Sequence, residues 1–410
     1  MHVISNRLAS GLALGSSCVL GVVLPIMMTP ASKSSPLFLV IATALAVTSV
    51  VIAGRLQELM DQARLMAQSP VIPWAATLAL VMFASIAMAH DPLASLSQFT
   101  QFALPLLSGL LLALAFPLIA DRDRALWWTL AAAIAALIIV VDIKTGLGFR
   151  RVTGGRTTDY AYNRTIVTLM VLLWPLLALI VERRRWPLLL VLLPLAAAAW
   201  IGESATAVLA LAIGVAVFPL AWLAPRLTRF IGLAGILLML IITPVIGSLA
   251  RLALGERIHK TFEGAHSSER MDIWVSFEAA LHKTWFLGNG FGSSQNLFAA
   301  AVARGIDADK AKGLMDSHPH NAFLQLWVEL GLVGACLAAV LFWHLFKAVD
   351  RAQPRLQPYI LTWIAVICGI ALVSHGAWQA WWIAAIAASA VGFITLQREI
   401  DRASANSPRS

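Results

Sequence analysis

An all-α polytopic membrane protein is the fold class that this sequence predicts, and three observations predict it. Sixty per cent of the 410 residues are hydrophobic and only 12 % are charged, against about 25 % charged in an ordinary soluble domain. Several apolar runs reach the roughly 20 residues needed to cross about 30 Å of hydrocarbon. The runs lack the alternation of a membrane β-barrel, and in lipid the other backbone that satisfies its own N–H and C=O groups is the helix.

The runs place about twelve membrane helices, near 9–29, 35–54, 71–90, 101–120, 125–143, 165–181, 187–202, 205–223, 230–249, 322–346, 357–374 and 378–397. The run that follows Arg7 resembles a signal peptide but has no small-residue cleavage site, so it reads as an uncleaved first helix. Gly202-Glu203-Ser204 marks the break between the seventh and eighth spans. Reading those two as one span would invert everything downstream, and the distribution of cations decides for two. Arg55, Arg64, Arg122, Arg124, Arg183 to Arg185, Arg226, Arg229, Lys347, Arg351, Arg355, Arg398 and Arg402 then share one side. That side is the cytoplasm, with both termini on it. The net charge of +9 is thereby explained as topology, and nucleic acid is not expected as a partner. Cys18, Cys336 and Cys368 each lie inside an apolar run and read as buried small core residues.

Two outer segments stand apart from the short, nearly uncharged connections. The first, 144–164, carries Lys144, Arg150, Arg151, Arg156 and Arg164 against the orientation rule. Its Arg151-Val152-Thr153-Gly154-Gly155-Arg156 run adds backbone N–H groups and close approach, so the segment reads as an anion site. Arginine forks suit phosphate oxygens. The second segment, 250–321, is too long for a simple connection and should carry structure and function. Ser267-Ser268 with Glu269 and Asp272 marks a helix start. Ile273, Trp274, Phe277, Leu281 and Trp285 follow at helical spacing, which predicts an amphipathic helix on the membrane face of the bundle, its aromatic stripe serving packing. Gly288-Asn289-Gly290-Phe291-Gly292 ends it in a turn, without the strand-then-helix context of a dinucleotide fingerprint. Residues 302–316 read as a mobile polar connection, and the tail after Arg402 as disordered by composition. The organisation is therefore 1–249 (nine spans, with the basic loop 144–164), 250–321 (the large outer loop), 322–397 (three spans) and 398–410 (a cytoplasmic tail).

His318-Pro319-His320-Asn321 stands where the chain re-enters the bilayer. His320 is the candidate general base, because imidazole titrates near neutral pH. Asn321 is placed to orient a substrate hydroxyl or to cap the helix that follows, and His318 is a candidate substrate contact. Glu329, two turns into the span, needs a polar partner on another helix. Metal readings are weak. His318-x-His320 lacks a third ligand at useful spacing, Asp121-x-Asp123 falls on the cytoplasmic side, and Asp307-x-Asp309 lies in the polar connection. No metal and no cofactor is expected. An outward base, an outward arginine-rich anion site and a bundle able to hold a lipid tail together suit displacement of a lipid-linked phosphate or pyrophosphate by a hydroxyl.

His320-Asn321, nine residues, then Gly331-x-x-Gly334 resembles the pattern of O-antigen ligases, within the wider O-antigen ligase/polymerase superfamily. Ser268-Glu269-Arg270-x-x-Ile273-Trp274 and Trp285-Phe286-Leu287-Gly288-Asn289-Gly290 are similar to the segment that opens the same domain. The resemblance implies a GT-C-like fold whose one large loop is periplasmic and holds short amphipathic helices. It implies an inverting, metal-independent glycosyltransferase of a Gram-negative inner membrane. Such an enzyme moves polysaccharide from undecaprenyl pyrophosphate to the lipid A-core. By position, His320 would activate the acceptor hydroxyl and Arg270 would contact the pyrophosphate. Arg150, Arg151, Arg156 and Arg164, with His318 and Asn321, would complete the donor site. One departure is that Ser204 is followed by Ala205 where many members carry arginine, so another cation has to serve. An O-antigen polymerase or a protein O-oligosaccharyltransferase would use the same parts with a different acceptor. A lipid-linked glycan transporter is the reading from another class; it would need repeat symmetry and mid-membrane charges, for which Glu329 and Glu203 are the candidates.

Overall fold

The computed structural model describes residues 2–120, 124–155, 157–158, 160–261 and 267–405. Among these there is no β-strand. The helices that matter here are α1 (Asn6–Met27), α2 (Ser35–Ile52), α3 (Leu56–Ala67), α4 (Ile72–Met88), α5 (Pro92–Ile119), α6 (Ala125–Lys144), α7 (Asn163–Glu182), α8 (Leu188–Ile201), α9 (Ala205–Leu223), α10 (Pro225–Ala253), α11 (Ser267–Leu281), α12 (Ala322–Arg351), α13 (Gln357–Val373) and α14 (Ala380–Ala405).

All twelve expected runs are helical, but they do not all pass as single spans. Among the described residues nine helices are long and apolar enough to cross a bilayer, or ten if α3 and α4, bent by 80°, count as one span. The remaining two, α8 and α13, are shorter apolar helices. The break between α8 and α9 holds. Glu203 takes a left-handed φ of 49° there, and Ser204 caps α9 by accepting from the Ala207 N–H at 3.2 Å.

α5 packs against α2 and α14, α9 lies along α13, and α14 also meets α7. One continuous apolar core runs through these contacts. At the end of the bundle that carries Arg124 and Arg183, both arginines pair with the buried Glu399 at 2.6 Å. This pairing overturns part of the tail reading. α14 continues as helix to Ala405, because Glu399 and Ile400 are buried against the bundle. Residues 406–410 lie outside the described residues.

Three further expectations are corrected. The apolar stripe of α11 does not face lipid. Ile273, Phe277 and Leu281 are buried with Leu324, Trp327 and Val328 of α12, since α12 offers a larger apolar partner. Trp285 lies beyond the helix and is exposed. The connection 302–316 is a packed unit, with Ala311 and Leu314 in that same small core and the Gly313 N–H donating to Ser276 Oγ at 3.2 Å. Of the thiols, Cys18 and Cys336 are exposed and Cys368 is half-buried, all three free, because the outer face of a spanning helix is apolar too.

Candidate functional site

α12 begins at a fully buried Asn321, whose side-chain oxygen accepts from the N–H groups of Phe323 and Leu324, both at 3.0 Å. The capping role is thus the one the geometry gives to that oxygen. Its Nδ2 is buried with no protein partner. The loop ahead of it is tied to α11, where the Trp274 indole donates to the Pro319 carbonyl at 2.9 Å. His320 holds φ +52°, a left-handed conformation that costs a non-glycine residue about 1–2 kcal/mol.

That turn aims the His320 ring. Its Nδ1 lies 2.9 Å from the Ser374 carbonyl oxygen. A carbonyl only accepts, so Nδ1 carries the hydrogen and Nε2 keeps the lone pair. Burial holds His320 below the ordinary imidazole range. The Ser374 bond pulls it up, the Arg270 charge pushes it down and Asp316 pulls it up. A neutral imidazole with an open Nε2 is a competent general base.

His318 is built differently, although its ring centre is 4.3 Å from that of His320. Its Nδ1 receives the His320 N–H at 3.2 Å, and its Nε2 lies 3.0 Å from the amide nitrogen of Gln379. Burial, followed by the charges of His320 and Arg164, pushes His318 down to about 3.

The connection between α13 and α14, Ser374 to Gln379, forms the opposite wall. Ser374 Oγ meets Thr206 Oγ1 at 2.9 Å and His375 Nε2 at 3.2 Å. His375 is buried edge-on against Trp381, 4.7 Å between centroids. Burial holds its pKa well down, with further lowering from His318, Arg164, His320 and Arg270. The Ala377 N–H donates to Gln325 at 2.8 Å, and the Trp378 indole to Glu329 at 2.8 Å. Sequence reasoning missed this wall. The available signal was a His, a Gln and a Trp interrupting two apolar runs.

Glu329 finds its polar partners on its own helix, in the glycine turn and in the α13–α14 connection, rather than on another spanning helix. It is fully buried and accepts from Gln325 at 2.8 Å, from the Gly292 N–H at 2.7 Å and from Trp378. It thereby joins α12 to the glycine turn and to the α13–α14 connection. The glycine turn also docks on a break in α12. Gly331 has φ 60° and ψ −155°, and the Leu332 N–H donates to the Trp285 carbonyl at 2.8 Å. Gly331 is thus a helix break, and the backbone of Phe286 to Gly288 packs closely against it.

The arginines divide. Arg270 is half-buried and near enough to depress both His320 and His375; burial lowers its own pKa, against Glu269. Arg164 acts on His318 and His375 in the same way. It is placed by its neighbour Asn163, whose side-chain oxygen accepts from Ser204 at 2.6 Å. Arg150 is buried elsewhere in purpose. Its guanidinium donates to the carbonyls of Thr29 at 2.9 Å, Pro30 at 3.2 Å and Ala161 at 2.8 Å, and lies over the Tyr162 ring. It pins the loop through these contacts. Arg151 is exposed, and Arg156 lies outside the described residues. Asp121 and Asp123 also lie outside them. Asp307 caps a short helix through the N–H groups of Asp309 and Lys310. Among the described residues no group of three or more His, Cys, Asp or Glu is placed to hold a metal ion.

An apolar cavity of about 360 Å³ lies between α9, α10, α12 and α13, lined by residues such as Leu220, Ile236, Met239, Phe346 and Leu361. Phe323 also lines it, in the first turn after the histidine loop.

Residues 189–339 match a family model described as O-antigen ligase. A Rickettsia bellii (strain RML369-C) protein named "Putative polysaccharide ligase" is 26 % identical over 232 residues, 55 % of each chain. A similarly named protein of Rickettsia conorii (strain ATCC VR-613 / Malish 7) is 24 % identical over 312 residues, 73 % of this chain and 74 % of its own. The chain spans about half the length of the first of these relatives. The matched segment runs from α8 into α12 and encloses Arg270, the glycine turn and His320. Through that segment the chain is similar to the O-antigen ligase family.

Proposed function

We propose that this protein transfers a polysaccharide from undecaprenyl pyrophosphate to a hydroxyl of the lipid A-core oligosaccharide of lipopolysaccharide. The observation that carries the reading is the pairing of His320 Nδ1 with the Ser374 carbonyl, which leaves Nε2 as a base beside the charges of Arg270 and Arg164. The acceptor hydroxyl oxygen attacks the anomeric carbon as its proton passes to His320 Nε2. The carbon–oxygen bond to pyrophosphate breaks, its electron pair staying on the leaving oxygen. Attack opposite the leaving group inverts the anomeric centre.

Arg270 and Arg164 stabilise the charge that grows on the pyrophosphate, with the exposed Arg151 and with Arg156 contributing as the donor approaches. Arg164 fills the need created by Ala205, since the Ser204–Asn163 bond brings the start of α7 to that point. The cavity beside Phe323 takes part of the prenyl chain, and the rest lies in lipid. In the cell the active face is periplasmic, with both termini in the cytoplasm and the protein in the inner membrane. The cation distribution supports that orientation.

The test is reconstitution in liposomes with an undecaprenyl-pyrophosphate glycan and three acceptors: lipid A-core, a second lipid-linked glycan, and a pilin-like protein. Transfer to lipid A-core alone is the expected result. Extension of the second glycan would make the enzyme a polymerase, and modification of protein would make it an oligosaccharyltransferase.

A further inference from the structure

The two histidines of the loop are given opposite hydrogen-bonding environments, and the residue that separates them is Gln379. Its amide has two ends. The oxygen accepts from the Trp381 indole at 2.8 Å. Indole N–H only donates, so this contact fixes which way the amide points. The NH₂ end therefore faces His318 Nε2 at 3.0 Å. On the other side of the ring, the His320 N–H faces His318 Nδ1 at 3.2 Å. Both ring nitrogens of His318 thus meet donors. A neutral ring can accept from one of them, and a protonated ring from neither. Gly376 closes the space, since a methyl group there would lie 3.1 Å from the His318 ring. His320 has the reverse arrangement, with an acceptor at Nδ1.

We infer that Gln379, held by Trp381, is a positioning residue that keeps His318 neutral, so that His320 is the imidazole of this pair that takes the proton. The inference rests on the reading of His320 as the base. The charged and titratable groups around His318 work in the same direction or one step away. They are His320 in its own loop, Arg164 on α7 and His375 on the α13–α14 connection. Arg270 and Asp316 act on His320 itself. A protonated His318 would place a second cation against His320 and raise the cost of the imidazolium formed when His320 accepts its proton.

The test uses the full chain in nanodiscs with ¹⁵N-labelled histidine, His318→Gln serving to assign the His318 ring signals. Ring ¹⁵N shifts are followed from about pH 8 to about pH 4, a window that brackets the ordinary imidazole titration. In the native protein His318 should remain neutral across it. Gln379→Glu replaces the donor by a carboxylate, and His318 should then carry both ring protons at neutral pH. Trp381→Phe frees the amide to turn its oxygen to His318, and the His318 titration should move up toward the ordinary value. A His318 that is doubly protonated at neutral pH in the native protein, or one whose signals neither substitution moves, overturns the inference. Transfer activity is the second readout. Gln379→Glu should lower it most at neutral and acid pH and recover at alkaline pH, whereas a residue that only supports the fold would lower it equally throughout. If the native protein transfers nothing, the reading of function fails while the ring titration still decides the role of Gln379.

Discussion

His320 Nδ1 lies 2.9 Å from the Ser374 carbonyl oxygen, across 54 residues of sequence. That one bond fixes the tautomer of the ring, and with it the nitrogen that can accept a proton. It also joins the loop before α12 to the connection after α13, so the imidazole is held from two directions.

Replacing His320 by alanine should lower glycan transfer by about 10²–10⁴, the usual worth of a general base. Membrane insertion should be unchanged. Because φ is +52°, a conformation asparagine and glycine adopt readily, His320→Asn should melt no lower than the native protein while remaining inactive. Native-level transfer by either variant in a purified assay would remove His320 from the mechanism.

Arg270→Ala should weaken both transfer and binding of the pyrophosphate lipid. It carries a second signature as well. The Arg270 charge lowers the His320 pKa, so its removal lets His320 protonate at higher pH. The acid limb of the pH–rate profile should therefore shift upward. Lysine should rescue the charge effect better than the transfer, because it lacks the bidentate fork. An unmoved acid limb would place Arg270 away from the base.

Stability should depend on pH through the histidines. His318 sits at about 3, and His320 and His375 are also lowered, while each has a pKa of about 6.5 when unfolded. Between those values the unfolded chain binds more protons, so stability rises with pH. The melting temperature in detergent should be level above about pH 7 and fall as pH drops below about 6.5 toward 3. His318→Gln should flatten that fall.

Gly331→Ala should destabilise the fold by about 1–3 kcal/mol or more, since φ 60° with ψ −155° is glycine territory and the added methyl would strike the Phe286 carbonyl. Gly305→Ala is the control. It also has positive φ, at 84°, but open space around it, so only the backbone cost of about 1 kcal/mol should appear. Equal melting temperatures for the two variants would contradict the docking of the glycine turn on the broken helix.

On the proposed mechanism, in which Arg270 and Arg164 supply the positive charge that a divalent ion would otherwise bring to the leaving pyrophosphate, transfer should persist in EDTA. Activity lost to chelation and restored by Mg²⁺ or Mn²⁺ would assign that work to a metal ion.

The sequence by itself determined the class of the molecule and drew attention to the histidine loop. Apolar runs of membrane length can only be helices in lipid, and a histidine at the mouth of such a run is chemically conspicuous. Local rules also marked the start of α11 at Ser267, the break between α8 and α9 and the position of the glycine turn. Tertiary structure decided the roles. Nothing local in Arg150 and Arg164 tells a loop clamp from a neighbour of the histidines; the difference is which carbonyls and rings the folded bundle brings to each. The α11 stripe reads as membrane-facing because periodicity reports an apolar face and not its partner. Ser374, His375 and Gln379 escaped notice because their importance lies in contacts to residues some 50 positions away. Which nitrogen of each histidine meets a donor and which an acceptor is likewise decided only when distant segments close on the same ring.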